Sequence, residues 1–130
     1  MKLEGKKVLI TGGASGIGLE LAHRLADGND VVIAGRSADR LNAARDGDPR
    51  LCTVQLDVTS QANAESVVDW LGSEFGGLDL LINSAGIMSA DAGPGNADPA
   101  SDQIAVNLVG SIRMTHLALP ILREARRRPP

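Results

Sequence analysis

The stretch that decides the fold is Lys7-Val8-Leu9-Ile10 followed by Thr11-Gly12-Gly13-Ala14-Ser15-Gly16-Ile17-Gly18. The apolar run before the turn is typical of a buried strand, and an amphipathic segment follows the last glycine. Glycines in such a turn adopt backbone angles closed to other residues and bring amide N–H groups close to a phosphate at the positive end of a helix dipole. The stretch therefore predicts a site for a nucleotide pyrophosphate, the alternative being an ordinary tight turn.

The spacing of the turn is Thr-Gly-x-x-x-Gly-x-Gly, one residue longer between its first glycines than the strict Gly-x-Gly-x-x-Gly pattern. No Gly-Lys-Ser/Thr ending follows, which disfavours a P-loop for triphosphates. The segment from Gly16 to about Asp27 reads as a helix, in which Ile17, Leu21 and Leu25 recur every four residues and are expected to face the core.

Strand and helix signals alternate along the rest of the chain. Further strands are expected at Val31–Ala34, Leu51–Leu56 and Leu80–Ile82, and the last helix is expected to start at Asp98 and run to about Glu124, after a loop over 84–97. This alternation predicts an α/β fold with a parallel sheet. The simplest topology is a doubly wound, Rossmann-type half-sheet with strand order 3-2-1-4.

Length and composition limit the possible classes of protein. The 130 residues are expected to form one domain, 1–130, and the net charge of −3 gives no reason to expect nucleic acid. Charged residues interrupt the N-terminus and no apolar run approaches the length that spans a bilayer, so neither a signal peptide nor a membrane partner is expected. The single cysteine, Cys52, fits a cytoplasmic location and is expected to be buried.

Several polar or small residues directly follow predicted strands and are expected to meet in one crevice. Arg36 stands where NAD-binding proteins carry an acidic residue, and its guanidinium can pair with a ribose 2′-phosphate, unless it is only solvated. The carboxylate of Asp57 can accept a hydrogen bond from an adenine amino group, although a turn-capping role fits the sequence equally well. The small residues of Asn83-Ser84-Ala85-Gly86 allow the backbone to lie under a nicotinamide ribose. His23 and His116 lie in no cluster with metal-ligand spacing, so no metal is expected.

Taken together, Thr11 to Gly18, Asp57-Val58, Asn83 to Gly86 and Val106-Asn107 occur in the order seen in the short-chain dehydrogenase/reductase family, which the chain resembles over nearly its whole length. The resemblance implies an oxidoreductase that transfers hydride between NADP(H), preferred over NAD(H) because of Arg36, and an alcohol or carbonyl substrate. It implies that Asn107 supports a catalytic lysine through water. The implied cofactor-binding residues are Gly12, Ser15, Gly16, Ile17, Gly18, Arg36, Asp57, Val58, Asn83, Ala85 and Gly86.

The chain departs from the family in its catalytic residues. It contains no tyrosine, and its lysines are Lys2, Lys6 and Lys7, whereas the family uses a Tyr-x-x-x-Lys helix that lies beyond the matching part. We therefore expect this chain to supply the cofactor-binding half only; the alternatives are a non-catalytic dinucleotide-binding module and a purely structural domain. Because the fifth strand of the family is absent, the chain is expected either to self-associate as a homo-oligomer, through the edge at Leu80–Ile82 or through the last helix, or to be marginally stable.

Overall fold

A computed structural model describes residues 3–87, 95 and 98–127. In this part of the chain, strands and helices alternate up to β4, as the sequence predicts. The strands are β1 (Lys7–Thr11), β2 (Asp30–Gly35), β3 (Cys52–Gln55) and β4 (Leu80–Asn83); the helices are α1 (Gly16–Leu25), α2 (Ala38–Gly47), α3 (Gln61–Ser73), α4 (Asp98–Gln103) and α5 (Ser111–Ala125). A π-helical segment, Ile104–Gly110, connects α4 to α5. Most of the predicted 84–97 loop lies outside the described residues.

All strand pairs are parallel, and the order β3-β2-β1-β4 confirms the predicted topology. In the central strand, Leu9 pairs with Val32 on one side and with Leu81 on the other. The chain builds the sheet outward from β1 to β3 and then crosses to the opposite side for β4. A crevice therefore forms at the carboxyl ends of β1 and β4, because the connections on the two sides of this point run towards opposite edges of the sheet.

Helices cover both faces of the sheet. Val8 and Ile10 are buried with α1 and α2 on one face, whereas Leu9 is buried with α3 and α5 on the other. Successive residues of a strand point to opposite faces, so a continuously apolar strand is what a sheet covered on both sides requires. This double layer holds the strand ends in fixed positions at the crevice.

The prediction that Ile17 faces the core is wrong, since its side chain is 85% exposed. Leu21 and Leu25 are only half-buried, and the residues of α1 that are fully buried are Gly18 and Ala22. The line of closest contact therefore runs through small residues, which allow the helix to approach the sheet closely. The larger residues one position away lie at the border of that contact.

The prediction that Cys52 is buried is also wrong. Cys52 begins β3 and is exposed. β3 is an edge strand of only four residues, and its burial pattern is exposed at both ends. A cysteine at the start of a short edge strand therefore lies outside the core.

The segment Asp98–Ala125 is continuously helical over 28 residues and, by length and composition, is apolar enough to cross a membrane. The expectation that no segment reaches this length is therefore wrong. Such a segment is weak evidence for a membrane span, because the core helix of a globular protein meets the same criteria. Here Val106, Met114 and Ala118 are buried in the core layer that contains Leu9.

Candidate functional site: a cavity at the carboxyl ends of the strands

A cavity of about 200 Å³ opens at the carboxyl ends of the strands. It brings together seven of the residues singled out from the sequence, as expected from their positions after strand ends: Gly12, Ser15, Arg36, Asp57, Val58, Ala85 and Gly86. Five others do not line it: Gly16, Ile17, Gly18, Asn83 and Asn107.

The glycine turn contains two places where backbone segments lie in close contact. Gly12 has φ +65°, and a Cβ there would lie 2.7 Å from the backbone of Ser84 and Ala85. A Cβ at Gly18 would collide with the carbonyl oxygen of Gly12. Only glycine fits at either position, so these residues set the shape of the turn.

The N-terminus of α1 differs from those of the next two helices. Ser15 is its N-cap residue, but the Ser15 side chain accepts no capping hydrogen bond. By contrast, Ser37 accepts from the backbone N–H of Arg40, and Ser60 accepts from that of Asn63. Backbone N–H groups in the first turn of α1 therefore remain without a side-chain acceptor beside the cavity, an arrangement that favours an anion.

The loop after β2 places two cations at the cavity. Arg36 and Arg40 both line it, and neither forms a salt bridge within the described residues. The side-chain amide of Gln55 donates to the carbonyl oxygen of Arg36 over 2.9 Å, which fixes the loop backbone. The site can therefore accept negative charge beside the end of β2.

Asp57 is held in a defined orientation at the end of β3. Its Oδ1 accepts hydrogen bonds from the hydroxyl of Thr59 at 2.6 Å and from the backbone N–H of Thr59 at 2.9 Å, and its own N–H donates to Asn63 at 2.7 Å. The Thr59 bonds, assisted by the charges of Arg36 and Arg113, lower the pKa of Asp57. The carboxylate is therefore ionised at neutral pH, with Oδ2 left as an acceptor.

Thr11 connects the glycine turn to the segment after β4. It is buried, and its Oγ1 accepts from the backbone N–H of Ser84 at 3.2 Å and of Ala85 at 3.1 Å. Asn83 donates instead to the hydroxyl of Thr115 on α5, at 3.1 Å. Thr11 thus sets the position of the cavity wall at Ala85, whereas Asn83 joins the sheet to the last helix.

Asn107 lies in the π-helical segment, outside the cavity lining. Its side-chain amide donates to the carbonyl oxygen of Ile87 at 2.9 Å and accepts from the N–H of Ile87 at 2.8 Å. Both ends of the amide are thus used to hold the segment that continues from Gly86.

Sequence reasoning missed some residues of the site. Ser37 and Arg40 also line the cavity, and a signal was present because both lie within four residues of Arg36. Arg113 was also missed. It bonds to Val58 across 55 positions, and nothing in the local sequence indicates that pairing.

The fold and the cavity define the class: a doubly wound protein with a nucleotide-type crevice at the carboxyl ends of its strands. The sequence profile of the family described as short chain dehydrogenase matches residues 6–128. The chain belongs to this family of NAD(P)-binding oxidoreductases.

Individual relatives agree with this assignment. The uncharacterized oxidoreductase DltE of Bacillus subtilis is 39% identical over 128 residues, which cover 95% of this chain and 51% of DltE. The crystal structure of gox2181 superposes with a TM-score of 0.88 at 26% identity, covering 96% of this chain and 51% of that one. Actinorhodin polyketide ketoreductase F189W, solved with NADPH, superposes with a TM-score of 0.85 at 29% identity, covering 95% and 49%.

The chain thus spans about half the length of DltE and of these solved structures. The family match does not favour the alternatives of a non-catalytic module or a purely structural domain.

Proposed function

We propose that this chain binds NADP(H) in the cavity, in preference to NAD(H), and supplies the cofactor-binding half of a hydride transfer between NADP(H) and an alcohol or carbonyl substrate. The observation that carries the proposal is the convergence of the glycine turn, Arg36 and Asp57 on one cavity at the strand ends. Each of these three features complements a different part of a dinucleotide.

The pyrophosphate part fits the start of α1. Gly12 and Gly18 keep the turn free of side chains, and the first turn of α1 has N–H groups without a side-chain acceptor. A pyrophosphate supplies the acceptors for these groups and interacts favourably with the helix dipole. The backbone of Gly16 and Ile17 and the hydroxyl of Ser15 belong to this part of the site.

The preference for NADP(H) rests on the end of β2. Gly35, Arg36 and Ser37 supply no carboxylate for the 2′-hydroxyl of NAD(H), while Arg36 and Arg40 supply positive charge. A guanidinium binds a phosphate with two parallel hydrogen bonds. The relative solved with NADPH is consistent with this preference.

The remaining residues complete the two ends of the cofactor. Asp57 and Val58 face the adenine, with Oδ2 of Asp57 accepting from the exocyclic amine. Ala85 and Gly86 lie under the nicotinamide ribose, and Asn83 and Asn107 hold that segment through Thr115 and Ile87.

Proton transfer to or from the substrate oxygen requires an acid/base group, which in the family that this chain belongs to is the tyrosine of a Tyr-x-x-x-Lys helix. The bound dinucleotide supplies or accepts the hydride. The chain contains no tyrosine, and each of its lysines precedes the glycine turn. The Tyr-x-x-x-Lys pair that the resemblance implies for proton transfer is therefore not among these 130 residues.

A calorimetric titration of the full chain with NADPH and with NADH tests the proposal. We expect saturable binding of both, with NADPH at least about tenfold tighter, since one charge-assisted pair contributes ~1.5–3 kcal/mol. Reduced nicotinamide mononucleotide, which lacks the adenosine half, is the control and should bind far more weakly. Absence of binding by a chain that is folded by circular dichroism would overturn the proposal.

A further inference from the structure

Arg113 extends from α5 to the turn that follows β3. Its Nη1 donates to the carbonyl oxygen of Val58 over 2.6 Å, and its Nε donates to Oε1 of Gln61 over 2.9 Å. The amide nitrogen of Gln61 in turn donates to Glu65 over 2.9 Å. The half-buried guanidinium therefore ties the last helix both to the turn and to the first residue of α3.

Val58 is fixed from a second direction by the same helical region. A Cβ built on Gly110 would lie 2.5 Å from Cγ2 of Val58, so the Val58 side chain occupies the space that a larger residue would need. The backbone carbonyl and the side chain of Val58 are thus both held by the region from Gly110 to Arg113. Val58 lines the cavity together with Asp57.

Asp57 lies directly before this clamped residue. Within the described residues its carboxylate is bonded only through Oδ1, to Thr59, so the direction of Oδ2 depends on the backbone of the turn. The charges that act on this carboxylate are Arg36, from the loop after β2, and Arg113. Of the two, Arg113 also contacts the turn itself.

We propose that Arg113 is a positioning residue that holds the Asp57–Val58 turn so that Oδ2 of Asp57 meets the exocyclic amine of adenine. The proposal deepens the function proposed above and rests on it. Arg113 touches no part of the cofactor and acts only through Val58 and Gln61. Its planar guanidinium suits two fixed acceptors at once, which a lysine ammonium on a flexible stem does less well.

Base discrimination separates this positioning role from general stabilisation. NADPH and its hypoxanthine analogue differ only at the base, where a carbonyl oxygen replaces the exocyclic amine. An amine donates to Asp57, whereas a carbonyl oxygen repels it. The ratio of the two dissociation constants therefore measures the orientation of Asp57, and a uniform loss of folded protein leaves that ratio unchanged.

The experiment titrates both dinucleotides into the parent chain, Arg113→Met, Arg113→Lys and the control Arg123→Met, which alters an exposed arginine of the same helix. We expect the parent and the control to prefer NADPH by about tenfold, as one hydrogen bond to a charged group allows. Arg113→Met should reduce the ratio of the two dissociation constants to within about twofold of unity. Arg113→Lys should give a ratio between that of the parent and that of Arg113→Met.

The outcomes separate the two proposals. An Arg113→Met chain that is folded and keeps the parent's ratio overturns the positioning role and leaves NADP(H) binding intact. A parent that binds both dinucleotides equally overturns the role of Asp57 and, with it, that of Arg113. A parent that binds neither overturns the proposed function itself.

Discussion

Asn107 and Ile87 are joined by a reciprocal pair of hydrogen bonds, in which the side-chain amide of one residue uses both its donor and its acceptor on the backbone of the other. The pair bridges 20 positions of sequence and connects the π-helical segment to the chain that leaves β4. It therefore keeps Gly86 at the rim of the cavity, because Ile87 is its direct neighbour.

Replacing Asn107 with alanine removes both bonds. We expect Asn107→Ala to lower the free energy of unfolding by about 1–2 kcal/mol, at the modest end for two hydrogen bonds because Asn107 is exposed. Urea denaturation measures this loss. The control is Asn42→Ala on the exposed face of α2, which should change stability by less than about 0.5 kcal/mol. Equal effects of the two substitutions would contradict the assignment.

Gly12→Ala tests the close approach inside the turn. The new methyl group would meet the backbone of Ser84 and Ala85, and the residue would have to keep φ at +65°. We expect a loss of about 2–3 kcal/mol in the free energy of unfolding. Gly47→Ala is the matched control, since a Cβ there has open space. A fully stable Gly12→Ala chain would show that the turn does not pack as described.

Asp48 makes stability depend on pH. Hydrogen bonds from the Arg50 guanidinium at 2.8 Å, and then from His23 at 3.0 Å, hold the pKa of this buried carboxylate well below its ordinary value. Because the folded pKa lies below the unfolded one of about 4, its stabilising contribution is present above pH 4 and is lost as the pH falls below it.

Asp48→Asn should therefore be less stable than the parent at pH 7, and the difference should shrink as the pH is lowered from 4 towards 2. Thermal melts across this range measure both trends. Asp46→Asn, at an exposed position of α2, serves as the control and should follow the parent curve. A constant difference between Asp48→Asn and the parent at every pH would contradict the linkage.

Self-association is expected through the last helical segment. Ile104, Leu108 and Ile112 are spaced four residues apart and are exposed, at 55%, 56% and 49%. We predict that the chain sediments as more than a monomer and that Leu108→Lys shifts it towards monomer, because a charge opposes burial of this face. Asn42→Lys on α2 should leave the distribution unchanged. A monomeric parent at high concentration would contradict this prediction.

The sequence predicted the sheet well because each strand is a short apolar run bounded by turn residues. It failed at Ile17 because a four-residue period identifies a helical stripe but not which side of that stripe lies closest to the sheet. The buried side is that of Gly18 and Ala22, and Gly18 packs directly against the backbone of Gly12. It failed at Cys52 because an edge position is a property of the whole sheet.

The candidate site likewise contains residues that could be identified from the sequence and residues that could not. Arg36 and Asp57 were identifiable because they follow strand ends, and strand ends of a parallel sheet meet at one side. The contact of Arg113 with Val58 was not identifiable, since it depends on how α5 packs against the turn. Residues that act through such long-range contacts need the three-dimensional structure.

Binding of NADP(H) by the cavity through Arg36 is tested most directly by one set of six calorimetric titrations. The parent, Arg36→Ala and the matched control Arg45→Ala are each titrated with NADPH and with NADH; Arg45 is an exposed arginine in the last turn of α2 and does not line the cavity. We expect Arg36→Ala to weaken the binding of NADPH by at least about tenfold and the binding of NADH by less than about twofold. Equal weakening of both dinucleotides, or no binding by the folded parent, would contradict it.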